Sequence, residues 1–196
     1  MKMFSLFKKI DDKGMTLIEL VISSMLMIFV LIAAYNLSTL VNKSYSSTKE
    51  RSDTVYNSST AFWIIDKYLS QNISIETFQS YNLTILTDTN SDSFAERIYF
   101  TYNSTKKTLN YQIYNTNNLR QNTNIVHTGV LAENIYNSSY GKPIFKYYDA
   151  NGVQITDVSK IQSDTRKIEI TLLIKQPNQT DYYTNTKIVY FRNRGL

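Results

Sequence analysis

Residues 13–35 of the chain read KGMTLIELVISSMLMIFVLIAAY. From Met15 to Tyr35 this segment holds 21 residues with one charged side chain, Glu19. A helix of that length rises about 30 Å, which matches the hydrocarbon core of a bilayer. Four lysines and two aspartates precede the apolar run. The basic excess predicts that the N-terminus stays in the cytoplasm and that the rest of the chain lies outside.

Two plainer interpretations of this segment exist. A secretory signal peptide would be cut after the apolar run, where Ala33 and Ala34 stand. A simple signal anchor would carry Glu19 by chance. Glu19 argues against the signal peptide, because an acidic residue in the centre of the span costs about 2.5–3.5 kcal/mol on insertion and less near its end. We expect a retained helix that uses its carboxylate.

The helical pattern continues past the membrane. Residues 36–54 are polar with few helix breakers. Apolar residues then recur at spacing seven, with others at the three-and-four positions: Val55, Phe62, Leu69, Ile65, Ile73. We predict one helix from about Thr16 to about Gln71, apolar on all sides in its first half and on one face in its second. That face must be buried against another element.

The remainder of the chain alternates as strands do. Seven segments rich in β-branched and aromatic residues are predicted as strands: 81–87, 97–102, 108–114, 130–136, 144–148, 167–175 and 186–192. Residues 103–107 predict a hairpin, and Asn151-Gly152 a tight turn. One long helix followed by strands indicates an α+β fold, with a predominantly antiparallel sheet covering the helix.

The segment KGMTLIEL, residues 13–20, resembles the processing site of type IV prepilins and type II secretion pseudopilins. The family pattern is a basic leader that ends in Gly, then a hydrophobic residue, Thr, Leu, Ile, Glu and a long apolar run. This chain departs from it only at Met15, where Phe is commoner. The resemblance implies the type IV pilin fold, with residues 1–14 as a cleaved leader, 15–40 as the transmembrane and assembly helix, and 41–196 as the extracytoplasmic α+β domain.

The resemblance also assigns roles at this site. A prepilin peptidase would cut between Gly14 and Met15 and would methylate the new amino group of Met15. Gly14 has no side chain, so the peptide there can approach the catalytic carboxylates closely. Glu19 would pair with the N-terminal amine of a neighbouring subunit during assembly. The residues themselves show only an acid in an apolar segment that needs a partner.

Further features favour a minor subunit. Major pilins commonly have a Pro, and often a Gly, at the positions that Asn36 and Ile28 occupy here, and neither of these residues breaks a helix. The strand pattern is similar to that of W-type minor pilins and J-type pseudopilins in the segments 98–102, 108–111, 130–135, 145–149 and 167–174. The resemblance implies a tip or priming complex of a type IV pilus or type II secretion pseudopilus.

The implied partners are other pilins or pseudopilins, the prepilin peptidase and an inner-membrane assembly platform. The implied location is the cytoplasmic membrane, crossed once with the C-terminal domain outside, and then the filament. The alternative is an adhesin or DNA-binding minor pilin displayed on a pilus. Sixteen tyrosines could stack on the bases of single-stranded nucleic acid, so nucleic acid stays a possible ligand. Arg192 and Arg194, near the C-terminus, are the first basic residues to test for such binding. A net charge of +3 after removal of residues 1–14 gives that alternative little support.

Other chemistry has little support in the sequence. The chain has no cysteine, which excludes disulfides and thiolate sites. The single histidine, His127, has no partner pattern for a metal or a nucleophile. Residues 88–96 place oxygen ligands at alternating positions as calcium loops do, but Ser93 stands where the turn glycine belongs. We therefore expect no enzymatic activity, no metal and no cofactor.

Overall fold

The first element of the described chain is one uninterrupted helix, α1 (Leu17–Ser70). The structure is a computed structural model and describes residues 16–89, 95–117, 121–176 and 181–191. Neither Ile28 nor Asn36 interrupts α1, as predicted from the lack of Pro and Gly. The chain divides into an N-terminal unit, residues 1–48, and a C-terminal unit, residues 49–196. In the N-terminal unit the described residues are almost entirely helical.

In the C-terminal unit the described residues after α1 form eight strands and two short helical elements. They are β1 (Asn72–Phe78), β2 (Asn82–Thr87), β3 (Glu96–Asn103), β4 (Thr108–Thr116), β5 (Asn122–Ala132), a 3₁₀ turn (Asn137–Tyr140), β6 (Phe145–Tyr148), α2 (Val158–Asp164), β7 (Lys167–Lys175) and β8 (Tyr182–Tyr190). Strands β1 to β5 pair antiparallel in chain order, and β6, β7 and β8 pair antiparallel in a second sheet. The sequence predicted one antiparallel sheet, and the structure has two.

The second half of α1 buries one face against this β-structure. Its buried residues are Ser58, Ala61, Phe62, Ile65 and Leu69. The four apolar ones share one core cluster with residues of both sheets. The predicted α+β fold, a long N-terminal helix packed on antiparallel β-structure as in the type IV pilin fold, is confirmed.

Two members of the predicted stripe do not belong to this face. Val55 is exposed, and Ile73 lies exposed in β1 rather than in the helix. The helix ends earlier because Asn72 donates a side-chain hydrogen bond to the carbonyl of Leu69 (2.9 Å) and the chain turns into β1. The buried face includes instead two small residues that the spacing did not select, Ser58 and Ala61.

The strand predictions hold best where alternation was regular. β7 has the predicted bounds, and the hairpin closes as predicted, with Asn103 paired to Thr108. The prediction of a strand over 130–136 was wrong in its bounds, because β5 ends at Ala132. Beyond it, Ile135 forms a single bridge to Ile174. Strand β1 and helix α2 were not predicted: Ile73 of β1 was counted with the apolar stripe of the helix, and α2 is only seven residues long.

Between β5 and β6 the chain runs beside β7 and extends its pairing. The side chain of Asn137 is fully buried and takes the place that a strand backbone would have beside β7. Its Nδ2 donates to the carbonyl of Thr171 (2.8 Å), and its Oδ1 accepts from the backbone N–H of Leu173 (2.7 Å). Backbone bonds from Tyr136 to Leu173 and from Lys175 to Asn134 continue the pairing. Backbone groups of β7 are thus paired by a segment that is mostly irregular.

Burial of Tyr147 makes the fold sensitive to alkaline pH. Burial raises the pKa of Tyr147, whose hydroxyl donates to the carbonyl of Gln79 (3.2 Å). An unfolded tyrosine loses its proton near pH 10, whereas this one keeps it in the folded chain. The stability that the protonated Tyr147 contributes is fully present below about pH 10. Above that pH the free energy of unfolding falls by up to about 1.4 kcal/mol per pH unit.

Tyr147→Phe is therefore expected to cost about 1 kcal/mol near pH 8, through the lost hydrogen bond. The deficit relative to wild type should shrink above about pH 10. Urea unfolding at several pH values measures both quantities. Tyr56→Phe, at an exposed position of α1, is the matched control and should change neither. A deficit for Tyr147→Phe that stays constant up to pH 11 would contradict the argument.

Candidate functional site

The first turn of α1 is closed by a reciprocal hydrogen-bond pair. The backbone N–H of Thr16 and its hydroxyl both donate to Oε2 of Glu19, each at 2.9 Å. In return, the backbone N–H of Glu19 donates to Oγ1 of Thr16 (3.3 Å). Thr16 precedes the first helical residue, and Glu19 is the third residue of the helix. This is a capping box, which satisfies two backbone donors that the helix itself leaves unpaired.

The capping box corrects the view of Glu19 as an acid without a partner. Its carboxylate has a partner inside the chain, and it lies at the positive end of the helix dipole. The pattern T-x-x-E at the head of an apolar run was the sequence evidence for it and was overlooked. Among the residues that the structure describes, Oε1 takes no hydrogen bond. One carboxylate oxygen, Oε2, is thus committed to the capping box.

The apolar part of α1 is exposed along its length among the described residues of the N-terminal unit. It is long and apolar enough to cross a membrane, with a mean hydropathy of 2.6 over 18 residues, none of them buried. Ser24, one of the hydroxyl residues in the run, donates to the carbonyl of Val21 (2.8 Å). The hydroxyl of Ser24 therefore keeps a hydrogen-bond partner even in an apolar medium. Such a surface is typical of a helix that a bilayer or other apolar helices cover.

Several predicted site residues lie outside the described residues. These are the leader, residues 1–14, with Gly14, and the adjoining Met15, as well as Arg192 and Arg194 near the C-terminus. The predicted cleavage, the methylation of Met15 and a basic site at the C-terminus therefore stay predictions.

The structure also describes residues of the two weaker sequence candidates, His127 and the acidic segment 88–96. His127 is exposed in β5, and its ring lies 5.4 Å from that of Tyr111. Glu96, in the acidic segment that resembles a calcium loop, is buried and accepts a hydrogen bond from the backbone N–H of Thr89 (2.7 Å). No group of three His, Asp or Glu residues close enough to hold a metal occurs in the described ranges.

A groove of about 450 Å³ opens in the C-terminal unit between α1 and the ends of β5 and β7. Polar residues form much of its lining: Thr54, Asn57, Ser58, Glu133, Asn134, Lys175. Glu133 and Lys175 give the lining both signs of charge. The groove therefore has neither the apolar surface of a lipid site nor a single-sign field for a small ion.

Comparison with protein-family models, with curated proteins and with solved structures yields no match. The class of protein thus follows from the chain's own architecture. It has one N-terminal helix able to span a membrane by length and composition, and the same helix continues into an antiparallel α+β unit.

Proposed function

We propose that the chain is a pilin-like subunit, a minor pilin or a pseudopilin, that assembles through its N-terminal helix into a type IV pilus or a type II secretion pseudopilus. The observation that carries the proposal is the start of α1. A helix that Thr16 caps begins at Leu17, exposes apolar side chains on every side and holds a single carboxylate in its first turn. A span with those properties suits both a bilayer and a bundle of like helices.

Processing would create a charged partner for Glu19. Cleavage after Gly14 by a prepilin peptidase leaves the amine of Met15 as a new cation beside the first turn. In the membrane an ammonium and a carboxylate both gain from pairing, because the medium cannot solvate them. Pairing between the amine of one subunit and Glu19 of its neighbour would set the register of the two helices. The assembly platform and other pilins are the implied partners.

The continuity of α1 supports a minor rather than a bulk subunit. The helix passes Ile28 and Asn36 without a break. A span without Pro or Gly resists local unwinding, which costs helix hydrogen bonds that lipid cannot replace. A rigid span suits a subunit that begins a filament, and we place this chain in a tip or priming complex.

The mass of the protein recovered from membranes of a host with the cognate peptidase tests the proposal. We expect a species that begins at Met15, with or without an N-methyl group, and the full-length chain in a host without the peptidase. Gly14→Val is expected to stay uncut, because its side chain would lie against the catalytic carboxylates. A wild-type chain that stays full length, or that is cut after Ala34, would contradict the prepilin assignment.

A further inference from the structure

Three tyrosine rings and two lysines meet on the surface of the C-terminal unit; we name them the tyrosine–lysine cluster. Its members are Tyr136, Tyr140, Tyr182, Lys107 and Lys175. The Tyr182 ring lies 5.8 Å from that of Tyr136 and 4.7 Å from that of Tyr140, in the second case edge to face. The hydroxyl of Tyr140 donates to that of Tyr182. About half of the Tyr140 surface, 51%, is exposed.

Both lysines of the cluster lie over one ring. The Nζ atoms of Lys107 and Lys175 are 5.3 Å and 5.8 Å from the centroid of Tyr136. Lys107 also donates to Oγ of Ser139 (3.0 Å). Neither lysine forms an ion pair with a carboxylate in the described part of the chain. Two ammonium groups are thus positioned by a neutral ring and keep their charge available to an anion.

The backbone holds the cluster in place independently of its side chains. Lys107 has a positive φ of 56° at the end of the β3–β4 hairpin, and its carbonyl accepts from the N–H of Ile135 (2.9 Å). The buried side chain of Asn137 ties the segment that carries Tyr136 and Tyr140 to β7. Lys175 and Tyr182 are register partners across β7 and β8. The arrangement is preformed, so a ligand would not have to order it.

The charge around the cluster is positive. The described stretches that carry it, residues 106–107, 133–142, 175 and 181–182, include four lysines and two acids. Scattered exposed tyrosines are normal in a β-rich chain. Here one ring, Tyr182, contacts both of the others, and two ammonium groups without a described carboxylate partner lie over the ring of Tyr136, which is a more specific arrangement. It suits a ligand that presents flat π faces and closely spaced negative charges together.

We propose that the tyrosine–lysine cluster binds single-stranded nucleic acid. The exposed ring of Tyr140 would stack on a base, and Lys107 and Lys175 would contact neighbouring phosphates, since both lie within 6 Å of the same ring centroid. A duplex would not offer an unstacked base to Tyr140. A sulfated polysaccharide would offer charge without a π face. The proposal does not depend on the pilin assignment.

Binding of a fluorescein-labelled oligothymidylate of about 16 nucleotides to the full-length chain in detergent tests the proposal by fluorescence anisotropy. We expect wild-type binding that weakens steeply between about 50 and 200 mM salt. Tyr140→Ala should weaken binding at least about fivefold, and Tyr140→Phe should retain it. Lys107→Gln and Lys175→Gln should each lower the slope of log affinity against log salt by about 0.7.

Two variants serve as matched controls. Lys106→Gln removes the same charge from the same hairpin, at a position where the structure shows no ring beneath the lysine. Tyr190→Ala removes a tyrosine that is 63% exposed at the far end of β8. Neither should change the affinity as much as its counterpart does. The proposal is overturned by no binding at 50 mM salt, by equal losses in the controls, or by a sulfated polysaccharide that competes as well as the oligonucleotide.

Discussion

Phe62→Ala is expected to lower the free energy of unfolding of the C-terminal unit by about 3–5 kcal/mol. Phe62 is only 6% exposed and lies in the core cluster with Ile65 and Leu69. Truncation removes the aromatic ring and leaves a cavity between α1 and the sheets. The cavity cannot collapse, because both sides are closely packed. The change is larger than for any surface substitution proposed here.

The next residue provides the control for Phe62. Trp63 is 67% exposed, because one step along α1 turns the side chain away from the sheets. Trp63→Ala is expected to change the free energy of unfolding by no more than about 0.5 kcal/mol. Urea unfolding of the full-length chain in detergent, followed by the near-ultraviolet circular dichroism of its tyrosines, measures both variants. Equal losses for Phe62→Ala and Trp63→Ala would mean that the buried face of α1 is wrongly placed.

The sequence predicted α1 and β7 well because each carries an unambiguous pattern. An apolar run of 21 residues without Pro or Gly admits few structures besides a helix. In β7 the buried residues, such as Ile168, Ile170 and Leu172, alternate with partly exposed ones. The turn at Gly152, with a φ of 82°, follows from Asn-Gly in the same way. In these places local preference and tertiary packing agree.

The buried face of α1 was harder to predict because spacing alone was used. Counting large apolar residues gave weight to Val55 and Ile73, whereas close approach of the helix to the β-structure favours small residues such as Ser58. Ser58 satisfies its hydroxyl locally, at the carbonyl of Val55 (2.9 Å), and accepts from Asn185 of β8 (2.9 Å). A polar residue whose hydrogen bonds are all formed can lie in a core. A prediction that counts only apolar residues misses such a position.

The two candidate sites differ in how far a sequence can predict them. The Thr16–Glu19 capping box lies within four residues, so its pattern was visible and only its meaning was missed. The tyrosine–lysine cluster combines a hairpin end, an irregular segment and the junction of β7 and β8. Its members Lys107 and Tyr182 are 75 positions apart in the chain. No local pattern links them, and only the pairing of the strands brings them together.

Glu19→Gln is expected to leave cleavage after Gly14 intact and to reduce incorporation into filaments at least about tenfold. Glutamine can take the place of glutamate in a capping box, so the start of α1 should stay formed. Only the charge is lost, and with it the pairing to the amine of a neighbouring Met15. Processing is followed by the intact mass of the membrane form, and incorporation by the amount of subunit in sheared filaments.

Thr16→Val is the complementary change, since it removes the capping hydroxyl and keeps the carboxylate. Loss of an N-cap side chain costs about 1 kcal/mol, which the bilayer-embedded helix can tolerate, so incorporation should fall far less than for Glu19→Gln. Glu19→Ala removes both functions and should be at least as defective as Glu19→Gln. A Glu19→Gln chain that is processed and incorporated like wild type would show that assembly does not use the charge. Failure of wild-type processing would instead refute the pilin assignment itself, because that step precedes any pairing between subunits.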